Sequence, residues 1–194
     1  MELFKNVRLK IGKKLLGKKL ARTKRSVFYS NISLVKKIGI VWDASRPEDF
    51  AALSRFHLKM NERNIEVKII GYFPGKELPS QYTAIRYLTC LRKQEINIFY
   101  QPVSPESETF INTRFDVLID INFKKIFPLQ YITALSIAGL KTGLFDNEST
   151  EYPFDLMMEM KKPVDIDNYL SQIVQYLEII NSGTEKKEKT SIEK

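Results

Sequence analysis

Four polar side chains stand where β-strands are predicted to end, a position from which a side chain can bind a ligand or move a proton. They are Asp43, Asp120, Asn122 and Asp146. The carboxyl ends of parallel strands share one edge of a sheet, and ligands bind outside that edge. Carboxylate and amide oxygens suit a magnesium ion or acid–base chemistry. Because aspartate also opens turns and caps helices, the residues fit a structural role as well, and this rim is a possible ligand site only.

The turn after the first predicted strand lacks the glycines that bring a backbone close to a phosphate. Its sequence is DASRPED (43–49), with neither a G-x-G-x-x-G nor a G-x-x-x-x-G-K-[ST] pattern. Proline and two acids occupy the turn, and Glu48 and Asp49 already complement the dipole of the helix that follows. We therefore expect no dinucleotide and no other cofactor.

The chain contains one histidine, His57, and one cysteine, Cys90. His57 lies beside the apolar face of a predicted helix, and Cys90 lies late in the next one. A zinc site needs more ligands of these types, and no G-x-S-x-G elbow accompanies the histidine. We interpret both residues as structural and expect no metal site and no catalytic residue. Whether the chain is an enzyme stays open, and the residues favour a protein without catalysis.

Alternating strand and helix patterns position these residues. The first strand ends near Asp43, and a helix capped by Ser45 and Glu48 runs to about Asn64. Further strands are predicted at 65–73, 96–100, 115–122, 140–146 and 154–160, and further helices from Ser80 through Leu91, within 102–112, from Pro128 to Gly139 and over 165–181. This alternation predicts an α/β fold, a single Rossmann-like, doubly wound domain with a mostly parallel sheet of about six strands.

Length and composition bound the remaining organisation. At 194 residues, 43% hydrophobic and 28% charged, the chain fits one globular domain with tails. We predict a basic N-terminal helical arm at 1–33, the domain at 34–181 and a disordered tail at 182–194. The single cysteine suits a reducing compartment. No apolar stretch approaches the length of a membrane span, and no signal peptide is recognisable, so we expect a cytoplasmic protein.

The net charge of +8 is concentrated at one end of the chain. Residues 1–25 carry ten basic side chains against the single acid Glu2, whereas the other residues carry 21 basic and 22 acidic side chains. The ten are Lys5, Arg8, Lys10, Lys13, Lys14, Lys18, Lys19, Arg22, Lys24 and Arg25. An excess of this kind, next to a neutral domain, indicates a polyanionic partner.

The arm has an imperfect helical pattern with two apolar stripes. Phe4, Val7, Ile11 and Leu15 form one stripe, and three leucines fall on the opposite side, Leu9, Leu16 and Leu20. Lysines on all sides of the helix suit binding to a nucleic-acid backbone. A helix that binds a membrane surface favours one continuous apolar face, so the pattern suits nucleic acid better than a membrane. We predict a non-catalytic protein that contacts RNA or the ribosome through the arm. A peripheral membrane protein, a ligand-binding protein or enzyme using the rim, and a merely solvated arm docked on the domain stay open as alternatives.

Three segments together resemble an uncharacterised bacterial family, a conserved domain of unknown function. They are KKIGIVWDASRPEDF (36–50), FINTRFDVLIDINFKKIFPLQYITALSIAGLKTGL (110–144) and YPFDLMMEM (152–160). The resemblance extends from Leu3 to Asn181 and implies a bacterial cytoplasmic protein without assigned catalytic residues. In addition, 115–144 is similar to a strand–helix–strand unit in the N-terminal half of heptosyltransferase-type glycosyltransferases. That similarity implies a Rossmann-like fold, and we expect no nucleotide-sugar-binding half in this chain.

Overall fold

Six β-strands form one sheet in the computed structural model, which describes residues 2–83, 85–146 and 153–180. The strands are β1 Lys37–Asp43, β2 Glu66–Phe73, β3 Leu88–Arg92, β4 Val117–Asp120, β5 Leu140–Leu144 and β6 Leu156–Met158. Their order is β3-β2-β1-β4-β5-β6, and every neighbouring pair is parallel. The chain reverses its direction of winding between β1 and β4, as in a Rossmann-like domain. The predicted fold class is confirmed.

Helices cover both faces of this sheet. Their bounds are α1 Glu2–Leu20, α2 Phe50–Glu62, α3 Ser80–Thr83, α4 Pro105–Asn112, α5 Phe127–Leu135 and α6 Ile166–Ile179. The helices α2 and α6 pack on one face with one apolar core, and α4 and α5 pack on the other face with a second core. The first helix, α1, lies outside this layer and packs against α5.

The strand β1 shows why its sequence is apolar without alternation. Ile40 and Trp42 point into the core beneath α2 and α6, whereas Val41 points into the core beneath α4 and α5. A strand buried on both faces needs apolar side chains at every position. Asp43 is the last residue of this central strand, so the packing of β1 on both faces determines its position.

The segment from 80 to 100 differs from the prediction. The expected helix from Ser80 through Leu91 is wrong, because α3 ends at Thr83 and 88–92 form the edge strand β3. Cys90 therefore lies on a strand. The expected strand at 96–100 is also wrong, since these residues form a loop whose turn is fixed by hydrogen bonds to the Asn97 side chain.

Pairing with β2 explains the change from helix to strand. The Ile69 amide donates to the Tyr87 carbonyl at 2.7 Å, and the register then continues from Leu88 to Arg92. Backbone pairing with a neighbouring strand overrides the weak helical propensity of a short segment. A single sequence contains no information about this partner strand.

Two helix ends also differ from the expected positions. Ser45 does not cap α2, because its hydroxyl donates to Asp43 Oδ1 at 2.5 Å, and a 3-10 turn at Pro47–Asp49 precedes the helix. The helix α5 ends at Leu135 rather than Gly139, since Ser136 is already extended. The predicted tail at 182–194 lies outside the described residues.

Candidate functional site

Asp43 lies at the carboxyl end of β1, buried and engaged with its own loop. Its Oδ1 accepts hydrogen bonds from the Ser45 amide at 3.1 Å and the Ser45 hydroxyl at 2.5 Å. Its Oδ2 receives no hydrogen bond within the described residues, and Lys124 Nζ lies 3.5 Å away. The carboxylate is therefore balanced by one cation of the loop that follows β4.

Asp120 at the end of β4 points into the domain rather than toward solvent. Thr133 on α5 donates to its Oδ2 at 2.5 Å, and the Asn122 amide donates to its Oδ1 at 2.7 Å. Burial raises the pKa of Asp120 to about 6, and the two hydrogen bonds oppose this change. The side chain thus ties β4 to α5, and its position does not favour contact with an external ligand.

The other two rim residues stabilise the loop between β4 and α5. The Asn122 side chain accepts from the Ile126 amide at 2.9 Å and donates to the Ile126 carbonyl at 3.0 Å. Asp146 forms an ion pair with Lys125. Among residues 2–83, 85–146 and 153–180, no group of three or more His, Cys, Asp or Glu side chains could hold a metal ion. The geometry therefore assigns loop contacts to the rim residues.

His57 and Cys90 both lie against the core beneath α2. The His57 ring stacks on Tyr87 with centroids 3.7 Å apart, and partial burial lowers its pKa. Burial raises the pKa of the Cys90 thiol to about 12. Because the thiolate is the nucleophilic form of cysteine, this environment makes Cys90 a poor nucleophile.

A surface groove of about 550 Å³ lies beside these residues, between α2 and the beginnings of β2 and β3. His57, Lys68, Arg86 and Tyr87 contribute to its walls. The groove is at the amino end of the strands, whereas ligands of this fold bind at the carboxyl end. Its position gives no support to a substrate site.

The arm is a regular helix held close to the domain at one glycine. A Cβ atom on Gly12 would lie 2.3 Å from the Phe99 carbonyl oxygen and 3.0 Å from the Phe127 ring. The Gln101 side chain also donates to the Gly12 carbonyl at 3.5 Å. Only glycine allows this approach, so α1 has a defined docked position on α5 and the 97–101 loop.

Two basic side chains of α1 strengthen the docking. Arg8 donates to the Ile98 carbonyl at 2.5 Å and lies over the Tyr100 ring, 5.0 Å from its centroid. Lys19 donates to the Tyr131 hydroxyl at 2.6 Å. These cations contact the domain and are not available to a partner in this state.

Arg25 fastens the segment that follows α1. Its guanidinium forms a bidentate ion pair with Asp155 and donates to the Ala138 carbonyl at 3.0 Å. Asp155 also accepts from the Lys141 amide at 2.7 Å, which joins the arm to β5. Arg25 is thus a clamp of the fold rather than a free binding residue.

The other seven predicted polyanion-binding residues have no intramolecular partner among the residues that the structure describes. They are Lys5, Lys10, Lys13, Lys14, Lys18, Arg22 and Lys24, and all seven are exposed. Ten ion pairs occur in the described part of the chain, and Arg25 provides the arm's single contribution to them. The arm therefore presents a concentrated, uncompensated positive charge.

The two apolar stripes of α1 are both partly buried. Leu9, Leu15 and Leu16 are half-buried on the docked side. Phe4 and Val7 remain 74% and 49% exposed, together with Ile11 at 39%. Leu20 is also 39% exposed, so each stripe has a half-buried part near the middle of α1 and an exposed part toward one end.

The amino end of α1 extends beyond the helix that supports it. Gly12 lies beside Phe127 and Lys19 beside Tyr131, so α1 and α5 run in the same direction. The ten residues before Gly12 continue about 15 Å past the start of α5, at 1.5 Å per residue. The 97–101 loop supports this end through Arg8. Phe4 and Val7 are therefore at a projecting tip.

Within 2–83, 85–146 and 153–180, no helix has both the length and the apolar character that crossing a bilayer requires.

Comparisons with known proteins identify a family and a distant structural likeness. A family model described as "Family of unknown function (DUF6913)" matches residues 8–180. The solved structure of the E. coli heptosyltransferase WaaC with ADP is similar at 13% identity and a TM-score of 0.42. The similarity covers 76% of this chain and 48% of that chain, so this chain spans about half of its length. No curated protein matches the sequence significantly.

Proposed function

This chain belongs to the family of unknown function DUF6913, and we propose that it is a non-catalytic binding protein acting in the cytoplasm. Its basic N-terminal helix α1 attaches to a phosphate-rich polyanion, and RNA, free or in the ribosome, is the first partner to test. The observation that carries this proposal is the set of seven exposed cations whose side chains have no partner in the described part of the chain. The chain has a single cysteine, which fits a reducing compartment such as the cytoplasm.

Docking makes these cations an ordered array. Lys10, Lys14 and Lys18 are spaced by one turn, about 6 Å apart along the axis. Because α1 is held at Gly12, Lys19 and Arg25, the backbone of the array is fixed before the partner binds. Preorganisation lowers the entropic cost of association. A flexible basic tail would lack this advantage.

An enzymatic or small-ligand role at the rim has weaker support. The Asp120 carboxylate is hydrogen-bonded to Thr133, and the Asn122 amide is hydrogen-bonded to the Ile126 backbone. Such a ligand would have to compete with these internal hydrogen bonds. The rim therefore does not carry the proposal.

The experiment is an RNA-binding titration over a range of salt concentrations. Each neutralised phosphate of a single strand contributes a slope of roughly −0.7 to log K against log salt. Seven cations therefore predict a slope of up to about −5 for the native chain. We expect the triple variant Lys10→Gln, Lys14→Gln, Lys18→Gln to reduce the slope by about 2.

The matched control changes three exposed lysines of the domain that have no ion pair in the described structure. These are Lys59→Gln, Lys76→Gln and Lys93→Gln. Substitution is preferable to deletion of the arm, since deletion would expose Phe127 and Tyr131. If the control variant loses as much RNA affinity as the α1 variant, the array on α1 is not the binding surface.

A further inference from the structure

Resting on the proposed binding of phosphate groups by α1, we infer that the partner is the surface of an anionic phospholipid bilayer, into which the tip of α1 dips. The tip comprises Phe4, Val7 and Ile11 of α1 with Ile98 of the neighbouring loop. Their exposed fractions are 74%, 49%, 39% and 63%. Such an exposed apolar group beside many cations indicates a partner with both apolar and anionic surface.

The outward stripe of α1 changes character along its length. Phe4, Val7 and Ile11 occupy positions i, i+3 and i+7, and Lys14 and Lys18 continue the same line. The stripe is therefore apolar at the projecting end and basic where α1 lies on the domain. At a bilayer, the apolar end reaches the acyl boundary while the flexible lysines keep their ammonium groups at the phosphates.

Glu2 is the single acidic residue of the arm. Between Glu2 and Asp43 the sequence contains no aspartate or glutamate. Anionic headgroups attract each nearby lysine or arginine, and the attraction declines within a Debye length. Charge complementarity thus holds over the arm after Glu2.

The domain holds the tip in an orientation suited to insertion. Arg8 joins α1 to the loop by donating to the Ile98 carbonyl, and its guanidinium covers the Tyr100 ring. The Ile98 backbone therefore lies against α1, and its side chain is largely in water. The amino end of α1 and this loop are thus held together, and both present exposed apolar side chains.

Lipid explains this tip better than RNA does. Single-stranded RNA offers bases that stack on aromatic rings, and Phe4 provides the only aromatic ring of the tip. Val7, Ile11 and Ile98 have no π-face, whereas the acyl boundary accepts aliphatic and aromatic side chains alike.

The test is co-sedimentation of the full chain with vesicles. One set contains phosphatidylglycerol mixed with phosphatidylcholine, and the other contains phosphatidylcholine alone. We expect binding to the anionic set, and about tenfold weaker binding after Phe4→Ser because a buried apolar side chain is lost. Leu58→Ser is the matched control, since Leu58 is 60% exposed on α2, and its binding should be unchanged.

A fluorescence measurement separates insertion from surface attraction. Phe4→Trp should shift its emission to the blue with anionic vesicles, while the fully buried Trp42 provides a constant background. Vesicle binding that is unaffected by Phe4→Ser, with no blue shift, would overturn insertion of the tip.

The outcomes distinguish this inference from the proposed function. Binding to RNA without binding to vesicles overturns the lipid partner and leaves phosphate binding by α1 intact. Binding to neither overturns both. Binding to vesicles that persists in the Lys10, Lys14, Lys18 triple glutamine variant contradicts the role of the charges.

Discussion

The arm and the domain of this chain differ in how their cationic side chains are paired with carboxylates. On the domain, carboxylates compensate many cations, as in Lys37 with Glu66 and Arg63 with Glu178. In the arm, Arg25 alone has a carboxylate partner among the residues that the structure describes. These unpaired cations are the feature on which the proposed binding of an external polyanion rests.

The way each region packs supports the same distinction. The domain buries apolar side chains on both faces of its sheet. The arm docks through one close approach at Gly12, a few polar contacts and three half-buried leucines, while Phe4, Val7 and Ile11 stay exposed. Three sets of substitutions test this difference between the arm and the domain.

The largest effect is expected at the buried charge of the domain, Asp120. Its pKa rises from 3.8 to about 6 on folding because burial disfavours the carboxylate. The folded state therefore binds the proton more tightly, and the stability present below pH 4 is lost as the pH rises through about 6. The loss is about 3 kcal/mol.

Urea unfolding of the native chain and of Asp120→Asn from acid to neutral pH measures this contribution. The difference between the two free energies of unfolding should change across that range. A constant difference would show that Asp120 does not titrate in the folded domain.

The docking of the arm is expected to show the next largest effect. Gly12→Ala puts a Cβ against the Phe99 carbonyl oxygen and should destabilise the docked helix by about 1–3 kcal/mol. Gly17→Ala has no atom within 4 Å of its Cβ and should stabilise α1 by about 1 kcal/mol. Hydrogen exchange of the α1 amides compares the two: we expect faster exchange in Gly12→Ala and slower exchange in Gly17→Ala, and unchanged or slower exchange in Gly12→Ala would contradict the docked position.

The smallest effect is expected from the ion pairs themselves. Arg25 and Asp155 are 17% and 13% exposed, so Arg25→Met should lower the free energy of unfolding by about 2 kcal/mol. Arg55 and Asp167 are 61% and 48% exposed, so Arg55→Met should cost far less stability than Arg25→Met because solvent screens this pair. Equal losses in thermal or urea unfolding would remove the special role of the Arg25 clamp.

Much of the domain could be predicted from the sequence, because its central strands carry their own signal. Trp42 and Val41 lie in β1, where burial on both faces leaves an uninterrupted apolar run. The edge strand β3 could not be predicted, since pairing with β2 decides its structure. The positions of Asp120 and Asn122 at the rim followed from the strand pattern, but their partners Thr133 and Ile126 depend on the loop geometry.

Only part of the candidate surface on α1 could be predicted from the sequence. Both apolar stripes of α1 could be recognised, but not which of their residues dock. Gly12 lies between Leu9 and Leu16 on one stripe, and a small residue there is the signal that marks the close-contact side. The exposure of Phe4 and the engagement of Arg8 required the three-dimensional position of the 97–101 loop.

The most direct test of the central claim is lysine acetylation footprinting of the full chain with and without the partner, using anionic vesicles and an RNA strand in turn. Lys10, Lys14 and Lys18 on α1 are exposed and unpaired in the described structure, as are the control residues Lys59, Lys76 and Lys93 of the domain. We predict that bound partner protects the three α1 lysines and leaves the three domain lysines as reactive as before. Protection of the domain lysines with α1 unprotected would contradict the account.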